Sequence, residues 1–254
     1  MRRLGALVVG DEILAGHTQE SNTHWMAKRL KEHGIRLVRV EICSDDVADI
    51  EASVRRFLHD LRLDYVITSG GLGPTHDDRT MEGITRAIGK PLVLTPENEA
   101  WMRERVKEGH RRGYFAAEEP NAGIMKMAYL PEGAGAMPNH LGTCLGAIVD
   151  VGDARLFTLP GVPREFERMF DESVLPLLEA DRPDHVEEVV LWTEESRLYE
   201  VLRDLEDDNT QVTIGSYPQR GFIIVRATGP EAAAKAAIAA VREAAAAYLE
   251  RPST

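Results

Sequence analysis

The chain has 254 residues, 43% of them hydrophobic, with 21 Gly and 13 Pro, which are ordinary globular values. This excludes wholesale disorder and collagen-like or low-complexity classes. Thirty Lys and Arg against 42 Asp and Glu give a net charge of −12, which argues against a chain that coats nucleic acid. The two cysteines, Cys43 and Cys144, form no C-x-x-C pair, which argues against a disulfide scaffold and a thiolate zinc site. No apolar run reaches the ~18 residues a membrane span needs, and Asp11 and Glu12 end the first apolar run too early for a signal peptide. The expected setting is the cytoplasm.

Leu4 to Val9 is a short β-rich run ending at Gly10-Asp11-Glu12. Asn22 to His33 has helical spacing and a Gly34 stop. Ile35 to Cys43 reads as a strand, Val47 to Leu61 as a helix, Tyr65 to Thr68 as a strand, and Thr80 to Ile88 as a helix closed by Gly89. This β-α-β-α-β-α order predicts a mostly parallel sheet with helices on both faces. Thr95-Pro96-Glu97 opens a further helix to about Gly109, whose Arg- and Lys-rich end, Arg103 to Arg112, reads as a solvated face. Gly113 to Gly142 reads as mostly loop, and Gly146–Val151 with Arg155–Leu159 as a hairpin about Gly152-Asp153. A helix is expected from Arg164 to about Leu178.

Asp181 to Asp184 reads as a linker. Beyond it, strand, helix, two strands and an Ala-rich helix from Glu231 to Tyr248 predict a small α+β unit of βαββα order. The expected domains are therefore 1–178, a three-layer α/β unit, and 184–254. The second segment from 183 onward has seven basic and thirteen acidic residues, so RNA binding by it is not expected.

Three strands in succession end in paired carboxylates: Asp11-Glu12, Asp45-Asp46 and Asp77-Asp78. In an open α/β sheet ligands sit outside the carboxyl ends of the strands, and clustered carboxylates call for a cation. Asp11, Asp46, Asp77 and Asp78 are the candidate ligands for a divalent ion. Ser69-Gly70-Gly71-Leu72-Gly73-Pro74-Thr75 lies between a strand and a helix, where backbone N–H groups can approach a phosphate. It is neither a Walker A loop nor a G-x-G-x-x-G turn, since His76 stands where the third Gly belongs. The histidines show no H-E-x-x-H spacing, no serine lies in G-x-S-x-G, and Cys144 has no evident base. Met125, Met127 and Met137 are expected to pack.

Four motifs resemble one family: Gly10-Asp11-Glu12-Ile13-Leu14-x-Gly16, Gly70 through Thr75 with Asp77, Asp78 and Thr80, Lys126-Met127-Ala128-x-Leu130-Pro131-Glu132-Gly133-Ala134, and Leu159-Pro160-Gly161-Val162-Pro163. Over roughly residues 4–178 the chain resembles the N-terminal domain of the CinA (competence/damage-inducible) family, which has the MoaB/Mog molybdopterin-binding fold. Leu72, where the Mog pattern has Thr, favours the CinA side. Residues 186–250, with Ile214-Gly215-Ser216-Tyr217-Pro218, resemble the KH-like domain that follows in that family, and no segment resembles its C-terminal amidase domain. The resemblance implies a cytoplasmic homodimer. It also implies hydrolysis of an adenine-linked pyrophosphate, in ADP-ribose or FAD, releasing AMP with a divalent metal (Mg, Mn or Co) and potassium. The alternatives are molybdopterin or nucleotide binding without turnover, and molybdopterin adenylylation. Asp78, Asp46 and Asp11 are the expected catalytic acids. Gly10, Asn22, Ser69, Gly70, Gly71, Gly73, Thr75, Lys126, Asn139, Gly142, Pro160 and Gly161 are the expected contacts to a phosphate-bearing nucleotide or pterin; neither nucleic acid nor membrane is an expected partner. Glu20-Ser21-Asn22 replaces the usual Asp-Thr-Asn, and Gly142-Thr143-Cys144-Leu145-Gly146 the usual Gly-Thr-Ala-Pro-Gly.

Overall fold

β1 (Arg3–Val9) is buried at every position from Leu4 to Val9. A strand covered on both faces must be apolar throughout, as this one is. It sits inside a six-stranded sheet of order β2-β1-β3-β8-β7-β6, in a computed structural model that describes residues 2–179, 185–208 and 211–250. The chain divides into two units, Met1–Asp181 and Arg182–Thr254. The linker read at 181–184 lies outside the described residues.

In the first unit, the one-turn α1 (Asp11–Leu14) leaves β1 at once, and α2 (Asn22–Glu32) returns the chain to β2 (Arg36–Cys43). Gly34, at φ 69°, ends that helix. α3 (Val47–Arg55) starts on Asp46, whose carboxylate accepts from the Ala48 and Asp49 N–H groups. A single helix to Leu61 was expected; instead the last turn, Arg56–Asp60, widens to π geometry. That turn buries Phe57 and Leu58 together, and the Leu63 N–H then returns to the Phe57 carbonyl. β3 (Tyr65–Ser69) and α4 (Thr80–Ile88) follow, with Gly89 left-handed at φ 68°.

β4 (Leu92–Val93) leads to α5 (Pro96–Arg111), capped by Thr95. The stretch from Gly113 to Gly142 is more ordered than its composition suggests. It holds α6 (Ala122–Lys126), capped by Asn121, then β5 (Leu130–Pro131) paired with β4, and β6 (Gly135–Met137). Pieces of two to five residues are too short to show a period. β7 (Gly146–Val151) and β8 (Ala154–Leu159) form the expected hairpin, with Gly152 at φ 60°. α7 (Pro163–Met169) passes into a π turn, Phe170–Val174, and a 3-10 turn, Leu175–Leu177, rather than one helix to Leu178. Pro176 has no N–H for an α-helical bond, which fits the break.

β1, β2, β3 and β8 are mutually parallel neighbours, and β7 and β6 run antiparallel at one edge. α3, α4 and α5 bury Ile50, Val54, Ile84, Met102 and Val106 on one face. α2 and α7 bury Met26, Leu30, Phe166 and Met169 on the other, where Trp25 meets Phe166 and Phe170 edge-on. This is a three-layer αβα architecture. At ~25 cal/mol per Å² of buried apolar surface, these two clusters are the main stabilising contribution.

The second unit runs β9 (His185–Leu191), α8 (Tyr199–Asp208), β10 (Thr213–Gln219), β11 (Phe222–Gly229) and α9 (Glu231–Ala244). Its antiparallel sheet, order β10-β11-β9, has its own core of Val189, Leu191, Val225 and Ile238. Among the described residues no helix is long and apolar enough to cross a membrane.

Candidate functional site

The parallel strands β1, β3 and β8 end side by side at Gly10, Gly70 and Pro160. Gly70 N–H donates to Leu159 O at 3.1 Å, and Gly10 N–H to Cys43 O at 3.2 Å, so the strand-end loops begin in register. The Gly-rich turn depends on its glycines. Gly70 lies at φ 102°, and a Cβ there would stand 2.2 Å from the Val9 carbonyl oxygen. Gly71 lies at φ 64°, and a Cβ there would strike the Thr80 hydroxyl. Thr80, fully buried, ties the turn to α4 by donating Oγ1 to Gly70 O and its N–H to Gly71 O.

Asp78 closes the turn from below. Its Oδ2 accepts from Thr75 N at 2.9 Å and from Thr75 Oγ1 at 2.5 Å. A Cβ on Gly73 would lie 2.5 Å from that oxygen, so the missing side chain makes room for the carboxylate. Lys126 donates from Nζ to the Thr75 carbonyl.

Asn22, Ser69, Pro160 and Gly161 form a stitched group. Asn22 Nδ2 donates to Ser69 Oγ and to Gly161 O, both at 2.9 Å, and Ser69 Oγ donates to Pro160 O. Asn139 and Gly142 belong to a second loop. Asn139 Oδ1 accepts from the Leu141 and Gly142 N–H groups, while Nδ2 donates to Glu165 Oε2 at 2.5 Å. Arg105 of α5 grips the same loop, donating Nε to Gly142 O at 2.7 Å and Nη2 to His140 O at 3.2 Å. The solvated face read at Arg103–Arg112 therefore does not include Arg105, whose spacing alone gives no sign of an inward reach.

The acids divide. Asp45 Oδ2 accepts the Asp11 N–H at 2.8 Å. Burial raises the Asp45 carboxyl above its ordinary value against that hydrogen bond, and the charges of Asp11, Glu12 and Asp77 raise it further. Asp45 thus faces Asp11 and Asp77, whereas Asp46 is engaged in capping α3. Among the described residues no three His, Cys, Asp or Glu side chains are placed to hold a metal ion together. Burial pushes the Cys144 thiol up to about 12, which makes it a poor nucleophile. Met127 and Met137 are buried as expected, while Met125 lines a pocket.

Two cavities flank the turn. The first, about 640 Å³, runs along Gly71–Gly73 and Asp78 past His76, Arg79, Met125, Lys126 and Tyr129. The second, about 580 Å³, shares Gly71–Gly73, Asp78 and Met127, and extends past Phe115, Ile124, Thr143, Cys144, Pro160–Pro163 and Glu165. Asp78 borders both. Glu165 and Tyr129 had no sequence motif to mark them as lining residues beyond their nearness to Pro163 and Lys126.

A family described as "Probable molybdopterin binding domain" matches residues 5–180. The chain belongs to this molybdopterin-binding-domain family. A protein of Pyrococcus horikoshii is 39% identical over 216 residues, covering 85% of this chain and 84% of its own length. A CinA-like protein of Mycolicibacterium gilvum is 39% identical over 213 residues, which cover 80% of this chain but only 49% of that protein. The crystal structure of the protein CinA, of unknown function, from Thermoplasma acidophilum superposes with a TM-score of 0.58 at 32% identity, covering 67% of this chain and 94% of that one. The turn, both cavities and the stitched loops all lie within the segment that matches the molybdopterin-binding domain.

Proposed function

We propose that this molybdopterin-binding-type domain binds a phosphate-linked small molecule across the Gly70–Thr75 turn and hydrolyses its pyrophosphate, the substrate being of ADP-ribose or FAD type and the product AMP. The observation that carries this reading is the pair of cavities meeting at one turn. A substrate with two bulky ends joined by a pyrophosphate has that shape. Glycine backbone lies at the junction, where N–H groups can approach phosphate oxygens.

For a divalent ion, the residues fit one that arrives on the pyrophosphate rather than one held by a protein cage. Asp78 Oδ2 takes both Thr75 donors, leaving Oδ1 directed to no partner among the described residues, and Asp78 is the carboxylate common to both cavities. Asp78 would hold the ion, which when bound would neutralise phosphate charge. The chain's own residues do the rest. Gly71 and Gly73 admit the phosphates, Lys126 adds positive charge beside Thr75, and the Asn22 stitch fixes the loops that bound the second cavity.

The test is incubation of the purified protein with ADP-ribose and FAD, with and without Mg²⁺, Mn²⁺ or Co²⁺. The expected outcome is ion-dependent AMP release. Tight molybdopterin binding without AMP release from either substrate would replace this reading with that of a non-catalytic binder.

A further inference from the structure

The two cavities differ in charge. The first is bordered by Lys126, Arg79 and His76 together with its acids. Among the described residues no Lys, Arg or His lines the second. Its walls include Phe115, Ile124, Met127 and Val162, and the carboxylates that line it among the described residues are Glu12, Asp78 and Glu165. Such a chamber repels a phosphate and favours a flat, neutral ring. The carboxylates do not gather for a metal ion, since no three acidic, His or Cys side chains among the described residues converge. They are therefore available as hydrogen-bond acceptors.

Glu165 is held for that role. Its Oε2 accepts from Asn139 Nδ2 at 2.5 Å, and Asn139 is itself pinned by the Leu141 and Gly142 N–H groups. Gly142 leaves room for this contact, since a Cβ on it would lie 2.1 Å from Glu165 Oε2 and would push that carboxylate aside. Glu165 Oε1 receives no hydrogen bond among the described residues. A carboxylate oxygen only accepts. We propose that the second cavity takes the nucleobase end of the substrate and that Glu165 Oε1 reads an exocyclic amino group on it, selecting adenine over its 6-oxo counterpart hypoxanthine. This rests on the pyrophosphatase reading and names the base-specificity residue of that site. With a 6-oxo base, two acceptors face each other, and the hydrogen bond made with the amino base is replaced by a repulsive contact.

The test compares AMP with IMP by titration calorimetry, and ADP-ribose with its hypoxanthine counterpart by product release, in the full chain with Mg²⁺. The wild type should favour the amino base by about tenfold or more in both assays, the discrimination of one well-placed acceptor. Glu165→Gln can keep the Asn139 bond through its carbonyl while turning an N–H₂ into the cavity. It should bring the two bases within about threefold or reverse the order, while a merely structural role would lower both bases equally. Equal affinity of the wild type for AMP and IMP would overturn the assignment without any variant, as would a preference that persists in Glu165→Gln. Either result with AMP still released leaves the pyrophosphatase reading standing. Absence of both nucleotide binding and hydrolysis overturns both.

Discussion

Asp78 carries more of the site than its neighbours. The residue before α4 is Arg79, which makes no side-chain cap, so Asp78 does not serve as the helix cap that its position suggests. It closes the Gly-rich turn through Thr75 and borders both cavities. Asp78→Asn keeps an acceptor for Thr75 and removes the charge. The melting temperature should stay within a few degrees of wild type, while AMP release falls by a factor on the order of 10²–10⁴, the range for losing an electrostatic component of a preorganised site. A circular-dichroism melt paired with an AMP assay checks both halves, and unchanged AMP release would remove Asp78 from the chemistry. Asp78 and Gly70–Gly73 were legible because a turn between strand and helix restricts residue type. Glu165 was not, because its place depends on a loop held by Asn139 and Arg105 from distant parts of the chain.

At the scale of elements, the parallel core was legible and the ends of helices were not. β1 is apolar from Leu4 to Val9 and β3 from Tyr65 to Ile67, and Gly34 and Gly89 mark where helices stop. The π turn at Arg56–Asp60 left no mark, since the same apolar residues would suit a regular helix. That turn delivers the chain to Asp64, whose carboxylate accepts from Arg3 N at 2.7 Å and from Arg2 Nη1 at 2.9 Å. Burial would raise the Asp64 carboxyl, but the Arg3 N–H, the Arg2 hydrogen bond and its charge outweigh it, and the folded value lies below the ordinary one. A depressed carboxyl contributes stability that is present above the unfolded value, near 3.9, and is lost as pH falls through the folded value. Urea midpoints should therefore drop on going from pH 5 to pH 3, and Asp64→Asn should drop less over the same interval. Parallel acid limbs for the two proteins would show that Asp64 is not the anchor of β1.

For the molecule as a whole, every residue lining the two cavities belongs to Met1–Asp181, and the second unit's core is separate. Within the first unit, Asn22 joins the start of α2, the end of β3 and the loop after β8 through one amide group, whose Oδ1 is buried without a partner among the described residues. A buried acceptor left unpaired costs about 1–3 kcal/mol, so the arrangement is held against that cost by its two donations. One consequence concerns how the protein opens rather than what it binds. Segments that share a side-chain tie of this kind should open together, so their slow amide protons should exchange with deuterium at a common opening free energy. In Asn22→Ala the Gly70 amide, bonded to Leu159, should separate in exchange rate from the amides around Gly161, which hydrogen-exchange mass spectrometry would read as one slow population splitting into two. If both segments exchange together in that variant, the loops are coupled through the sheet and not through the amide of Asn22.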